Sequence, residues 1–314
     1  MKYFYASLAF FLSLVFASAQ AATQQPLIEA HELTDALMAN PELQIIDIRS
    51  PEDYAAGHIP QALSAPYGQW RGPANNPGQL ADDAYFQELL RTLGLTQQQP
   101  IVVYSSGADE TDFGAAARVY WTLKYLGLTD LSVLNGGFKQ WQQGISTQAP
   151  RVQASQLVVN SNPDLVIFQD ELLDKITRQD TTYQLLDARP PIFYQGQAKA
   201  PTASTGGTIA TAQNTPFGQW FNQDDTRIRP TAEIKALVRE QGLDQAQETV
   251  SFCNTGHWAA TNWFVLSELA GLKDVRLYPA SLAEWTQNTA SLPMDNTPSR
   301  FQQLQAKFSK LVNN

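Results

Sequence analysis

One cysteine, Cys253, is present in the 314 residues. A single thiol excludes an internal disulfide, so its presence asks for another reason. Histidine is nearly as scarce: three scattered residues and one cysteine make no ligand set for a structural or catalytic metal. No glycine fingerprint for a dinucleotide follows a strand-like run, and no cofactor is expected. Basic residues are few, 21 against 30 acidic ones, for a net charge of −9. Phosphate backbones need the opposite balance, which excludes nucleic acid as a partner, and anionic lipid surfaces are disfavoured too. Any anionic substrate must therefore be drawn in by local dipoles and not by the overall field.

Long apolar runs are lacking except at the start. Leu8 to Phe16 is apolar, follows Lys2, and is too short to span a bilayer. Small-x-small sites follow at Ala17-Ser18-Ala19 and Ala19-Gln20-Ala21. Residues 1–21 are expected to be a secretory signal peptide, and the mature chain to be exported: periplasmic in a Gram-negative cell, secreted otherwise, with no membrane contact after cleavage. Loss of Lys2 takes the charge to −10, from 20 basic and 30 acidic residues. Oxidising compartments usually recruit cysteine in pairs, which makes the lone thiol more pointed.

Cys253 stands where a short β-branched run, Thr249-Val250-Ser251-Phe252, gives way to a helical one with Ala259, Trp263, Leu266 and Ala270 in phase and Gly271 as its stop. A thiol in that loop faces backbone N–H groups and the positive end of a helix, both of which favour the thiolate. The alternative reading is an inert core thiol.

The sequence repeats itself. Ile45-Ile46-Asp47-Ile48-Arg49 matches Leu185-Leu186-Asp187-Ala188-Arg189, and Gly57-His58-Ile59-Pro60 matches Gly207-Thr208-Ile209-Ala210. Gly68-Gln69-Trp70 matches Gly218-Gln219-Trp220, and Ile101 to Ser105 matches Thr249 to Cys253. Short apolar strands alternate with helical stretches such as Tyr85–Leu93 and Arg118–Leu126, which predicts parallel sheets with helices on both faces and ligands at the carboxyl ends of the strands. The expected units are 22–148 and 149–298, followed by a helical tail at 299–314. A loop or lid is expected at Gln195–Gly206.

Taken together, the Asp-x-Arg of each unit, Gly57-His58-Ile59-Pro60, the strand–Cys253–helix loop and Tyr278-Pro279-Ala280-Ser281-Leu282-Ala283-Glu284-Trp285 resemble the rhodanese sulfurtransferases with tandem domains. The resemblance implies an α/β fold of two rhodanese-like domains, the first silent, with Ser105 where the second carries Cys253. Asp109, Glu110 and Asp112 beside Ser105 would repel an anion. It also implies a chemistry. Cys253 takes the sulfane sulfur of a small anionic donor such as thiosulfate as a persulfide, then passes it to cyanide, a thiol or a protein cysteine. The N–H groups from Asn254 through Thr255, Gly256, His257 and Trp258 to Ala259 are expected to cradle the anionic sulfur, with Gly256 permitting the curl. His257 is expected either to present partial positive charge to the donor or to serve as a hydrogen-bonded loop residue, and Arg189 is a candidate donor-binding residue whose favoured reading is a structural ion pair with a nearby carboxylate. The loop from Cys253 to Trp258 is six residues and ends without an arginine, which argues against a phosphatase of the same fold.

Two features depart from the family pattern. The loop is neither the basic type of thiosulfate users nor the Gly-Ser-Gly type of 3-mercaptopyruvate users. Phe193 stands where relatives often place a second substrate arginine. A 3-mercaptopyruvate sulfurtransferase is thus the first alternative. A sulfur-carrying or thiol-binding module without turnover is the alternative of another class.

Overall fold

The computed structural model describes residues 25–299. The expected signal peptide and, apart from Ser299, the expected C-terminal helix lie outside them.

The first half runs β1 (Leu27–Ile28), α1 (Ala30–Ala39), β2 (Gln44–Asp47), α2 (Pro51–Ala56), β3 (Leu63–Ser64), α3 (Asp83–Thr92), β4 (Ile101–Tyr104), α4 (Glu110–Tyr125) and β5 (Leu131–Leu134). The strands are short, apolar and largely buried, and they pair in parallel in the order β1-β5-β4-β2-β3. Helix starts follow local chemistry. Ser50 accepts from the Asp53 N–H with Pro51 in the first turn, and Asp82 and Asp109 cap α3 and α4.

The second half repeats the plan with α5 (Gln169–Thr177), β6 (Tyr183–Asp187), α6 (Pro191–Tyr194), β7 (Thr208–Ile209), β8 (Gln213–Asn214), α7 (Thr231–Glu240), β9 (Glu248–Phe252), α8 (His257–Phe264), β10 (Val275–Leu277), α9 (Ser281–Trp285) and β11 (Met294–Asp295). Its sheet order, β10-β9-β6-β8, is the first sheet's order with the edge strand reduced to a parallel bridge between Val166 and Leu277. The antiparallel pair β7–β11 has a counterpart in the His58–Ser146 bridge. Between the halves the chain hydrogen-bonds back to the first: the N–H groups of Ser155, Asn160 and Asn162 donate to Arg91, Leu126 and Tyr125. Residues 195–206 form turns without a regular element, tied to the chain just after α9 by Gln287 Nε2 on the Thr202 carbonyl.

Helix α4 begins eight residues before the expected Arg118 start, at Glu110. Its first half, Phe113 to Ala117, is small and apolar and buried on every face, so it carries no amphipathic signal. One side packs on its own sheet. The other meets α8, with Phe113 and Tyr120 edge-on to Phe264 at 5.6 and 5.0 Å. Glu268 accepts from Tyr120 and Lys124 across this boundary at 2.7 and 2.6 Å. One continuous apolar cluster joins both sheets, from Ile46 to Leu277. The halves are therefore not independently solvated.

The two Asp-x-Arg motifs adopt one geometry. Arg49 Nη2 lies 2.6 Å from Asp47 and 2.7 Å from the Gly57 carbonyl; Arg189 Nη2 lies 2.6 Å from Asp187 and 2.7 Å from the Gly207 carbonyl. Both pairs are buried at the carboxyl ends of β2 and β6, next to the strands that lead into Ser105 and Cys253. Removing one partner leaves the other charge sealed without compensation. Arg189→Met is expected to cost about 3–5 kcal/mol of stability, measured as a lower midpoint in urea unfolding; a loss below about 1 kcal/mol would contradict this account.

Candidate active site

Strand β9 delivers Cys253 to the carboxyl edge of the second sheet, beside the motif that opens α9. The Cys253 N–H donates to Ser281 Oγ at 3.1 Å, and the carbonyls of Cys253 and Asn254 accept from Leu282 and Ala283 at 3.2 and 2.9 Å. Ser281 is fully buried and holds φ at +55°, a strained value for a residue with a side chain, while its hydroxyl donates to the Tyr278 carbonyl at 2.8 Å. The sequence signal for this clamp was present in the Tyr278–Trp285 motif, but no role for Ser281 could be assigned from it.

The loop curls through Gly256, which sits at φ +71° and caps α8. A Cβ there would collide with Arg118 Nη1 and the Pro279 carbonyl, so glycine is required both by conformation and by space. The N–H groups of Asn254, Thr255 and Gly256 donate to no protein oxygen among the described residues. Ala259 is buried in the first turn of α8, its carbonyl accepting from Ser251.

Cys253 is only 1% exposed and belongs to the apolar cluster that joins the two sheets, the burial that the core-thiol reading expects. The first domain covers its loop: Gly78 is pressed against the Thr255 and Pro279 carbonyls, and Gln287 Nε2 bonds the Asn75 carbonyl at 2.9 Å.

His257, expected to carry partial positive charge toward a donor, is turned to the first domain instead. Nε2 meets the Thr111 carbonyl at 2.6 Å and must carry the proton, so Nδ1, 3.1 Å away, accepts from the Tyr67 hydroxyl. Burial pushes the imidazole down to about 4, with the like charges of Arg71 and Arg118 adding to it and the Thr111 bond opposing it. The ring is neutral at neutral pH.

Arg189 forms the favoured structural ion pair, with its nitrogens engaged on Asp187, on the Gly207 carbonyl and, at 3.4 Å, on Asn254 Oδ1. Its reach toward the loop is thus through Asn254. Trp258 stacks on Phe217 at 4.9 Å and meets the edge of Phe193 at 5.9 Å, with its N–H directed to Thr111 Oγ1. Phe193 therefore completes an aromatic wall where an arginine would have placed charge. Lys199 donates to the Ala203 carbonyl at 2.7 Å, inside its own loop.

The matching loop of the first domain has the same scaffold and a different filling. The carbonyls of Ser105 and Ser106 accept from Phe138 and Lys139 at 2.8 and 3.0 Å, as those of Cys253 and Asn254 do from α9. Here one Asp112 carboxylate oxygen takes the Ser106 hydroxyl and the N–H groups of Gly107 and Ala108 at 2.7, 2.5 and 3.2 Å. The cradle is already occupied by an anion of the chain itself. A cleft of about 370 Å³ lies over Ser105, bordered by Asp109, Asp112, Tyr67 and His257, and does not reach Cys253.

Because His257 is neutral when folded but titrates near 6.5 when unfolded, acid binds the unfolded chain first. The stability it supports is whole above pH 6.5 and falls as pH drops toward 4, by at most about 3 kcal/mol. Urea unfolding at stepped pH values should show this slope, and His257→Asn should flatten it; an equal slope in that variant would contradict the assignment.

Comparison with known proteins fits this geometry. The Rhodanese-like domain model matches residues 29–144 and again 168–288. A protein of Synechococcus elongatus named "Putative thiosulfate sulfurtransferase" is 28% identical over 275 residues, 83% of this chain and 82% of its own. One of the same name from Mycolicibacterium smegmatis is 30% identical over 244 residues, 74% and 84% of the two chains. Among solved structures, SseA from Escherichia coli, described as a 3-mercaptopyruvate sulfotransferase with the rhodanese fold, superposes with a TM-score of 0.70 at 24% identity, covering 82% of this chain and 99% of its own. With two matched domains, one sheet order used twice and one loop scaffold at both carboxyl edges, the chain belongs to the rhodanese family.

Proposed function

We propose that the protein is a sulfurtransferase working through a persulfide on Cys253, with thiosulfate as donor. The observation that carries this reading is the loop itself: a lone thiol directly after β9, followed by Asn254, Thr255 and Gly256, whose N–H groups have no protein acceptor among the described residues. Such groups stabilise an anionic sulfur without a formal charge. The Cys253 thiolate attacks the sulfane sulfur of thiosulfate. A new sulfur–sulfur bond forms, the donor's own breaks, and its electron pair leaves on sulfite. Cyanide or a thiol then takes the terminal sulfur and the thiolate returns, with no external oxidant or reductant. The near-complete burial of Cys253 keeps bulk water from this intermediate and selects small donors.

Two other readings have support. The relation to SseA leaves 3-mercaptopyruvate as the rival donor, while Phe193 in place of an arginine weakens both donors alike. The sealing of Cys253 favours a carrier that loads sulfur without repeated turnover. Export rests on residues 1–21; a mature N-terminus still at Met1 would remove it.

Incubation with thiosulfate is expected to raise the intact mass by one sulfur atom, reversed by cyanide, and Cys253→Ser should abolish both the adduct and turnover. Saturable turnover with 3-mercaptopyruvate and none with thiosulfate would replace the donor. A stoichiometric adduct without repeated turnover would establish the carrier.

A further inference from the structure

Arg118 lies in the middle of α4, fully buried. Its Nε and Nη1 are buried without any hydrogen-bond partner, and only Nη2 is engaged, by the Gly78 carbonyl at 2.9 Å. The guanidinium stands over the Trp121 ring at 5.2 Å, and no carboxylate pairs with it among the described residues. A sealed cation without a partner is costly and calls for an anion. Nη1 faces the cysteine loop closely enough that a Cβ on Gly256 would strike it. Burial, with Arg71 adding like charge, pushes the guanidinium down to about 10, so it stays cationic at neutral pH. Two groups act in its favour, Tyr67 and Cys253, and burial pushes the Tyr67 hydroxyl up, so that group stays neutral. The remaining complement is the sulfur of Cys253 and the anion it meets.

The geometry points to Arg118, a residue of the first domain, as the positive charge that receives anionic sulfur species at Cys253, in a second domain whose own position for such a charge holds Phe193. This deepens the reading of Cys253 as the reacting sulfur and rests on it. It assigns the silent domain a part in the site: α4 carries the cation, and α4 is held against α8 by the Phe113 and Tyr120 contacts with Phe264.

The test is alkylation of the full-length protein with iodoacetate and iodoacetamide in parallel, followed by intact mass. Both reagents attack the thiolate, so the ratio of their rates cancels the thiolate fraction and reads the local potential. The unmodified protein should favour iodoacetate relative to a free thiol in the same buffer. R118M should lower the ratio on the order of tenfold, and R118K should restore it to within about twofold. A ratio in the unmodified protein at or below that of the free thiol overturns the inference, as does an unchanged ratio in R118M or no reaction with either reagent. If R118M fails to fold, the comparison of the unmodified protein with the free thiol still decides. Iodoacetate carries no transferable sulfur, so the outcome is separate from turnover. Anion selectivity without thiosulfate turnover keeps Arg118 and removes the donor; turnover without selectivity does the reverse.

Discussion

At Gly256 the cysteine loop touches the first domain with no space for a single methyl group: Arg118 Nη1 lies on one side and the Pro279 carbonyl on the other. That contact governs the rest of the site. It holds the loop in the left-handed turn that starts α8, it presses Gly78 onto Thr255, and it brings a buried cation without a carboxylate partner to a domain whose own buried arginine, Arg189, is paired with Asp187. The His257 ring repeats the dependence, since both its nitrogens bond first-domain groups. The cysteine loop of the second domain is thus shaped in large part by the first. The continuous apolar core explains why this is dependable: α4 and α8 cannot separate without exposing Phe113, Tyr120 and Phe264 to water.

Duplication and divergence are visible in the same few atoms. Both domains keep the buried Asp-x-Arg clamp and the carbonyl bonds that fix the loop after the central strand. They differ in what fills the cradle. In the first domain a carboxylate four residues up the helix from Ala108 satisfies two loop N–H groups and a hydroxyl, so an outside anion would have to displace it and also meet its charge. In the second domain the equivalent N–H groups are left open beside a thiol. The first copy therefore departs from the second in two respects, the Ser105 hydroxyl and the internal carboxylate, and only the first concerns the side chain at the strand end.

The fold was legible in the sequence because its signals are local and repeated. Two Asp-x-Arg motifs, two strand–loop–helix junctions and alternating short strands gave the two parallel sheets and placed Cys253 at a carboxyl edge. The site was legible only where it is contiguous. Gly256 as the turn residue could be read from the loop, but Tyr67, Thr111 and Arg118 could not be tied to it, because they lie more than a hundred residues away and reach it through packing. Arg118 did carry one hint: a charge between Ala115-Ala116-Ala117 and Val119-Tyr120-Trp121 is misplaced for an exposed helix face. His257 shows the opposite failure. Its position beside the thiol favoured a role toward the donor, whereas its partners belong to the other domain and hold it neutral.

Charge finally decides how an anion could come to this site at all. The chain is acidic, at −9, so its distant field repels a dianion. That repulsion acts through water and is screened beyond about 8 Å at physiological salt. The charges that matter near Cys253 are closer and drier. Arg118 is sealed, and Arg71, donating to the Tyr67 hydroxyl at 3.0 Å, stands next in the same first-domain surface. Buried charge is screened far less than exposed charge, so a small local excess outweighs a larger diffuse deficit. Phe193 then has a physical account. With cations supplied from across the domain boundary, the position is released from anion binding and completes the aromatic wall with Trp258 and Phe217.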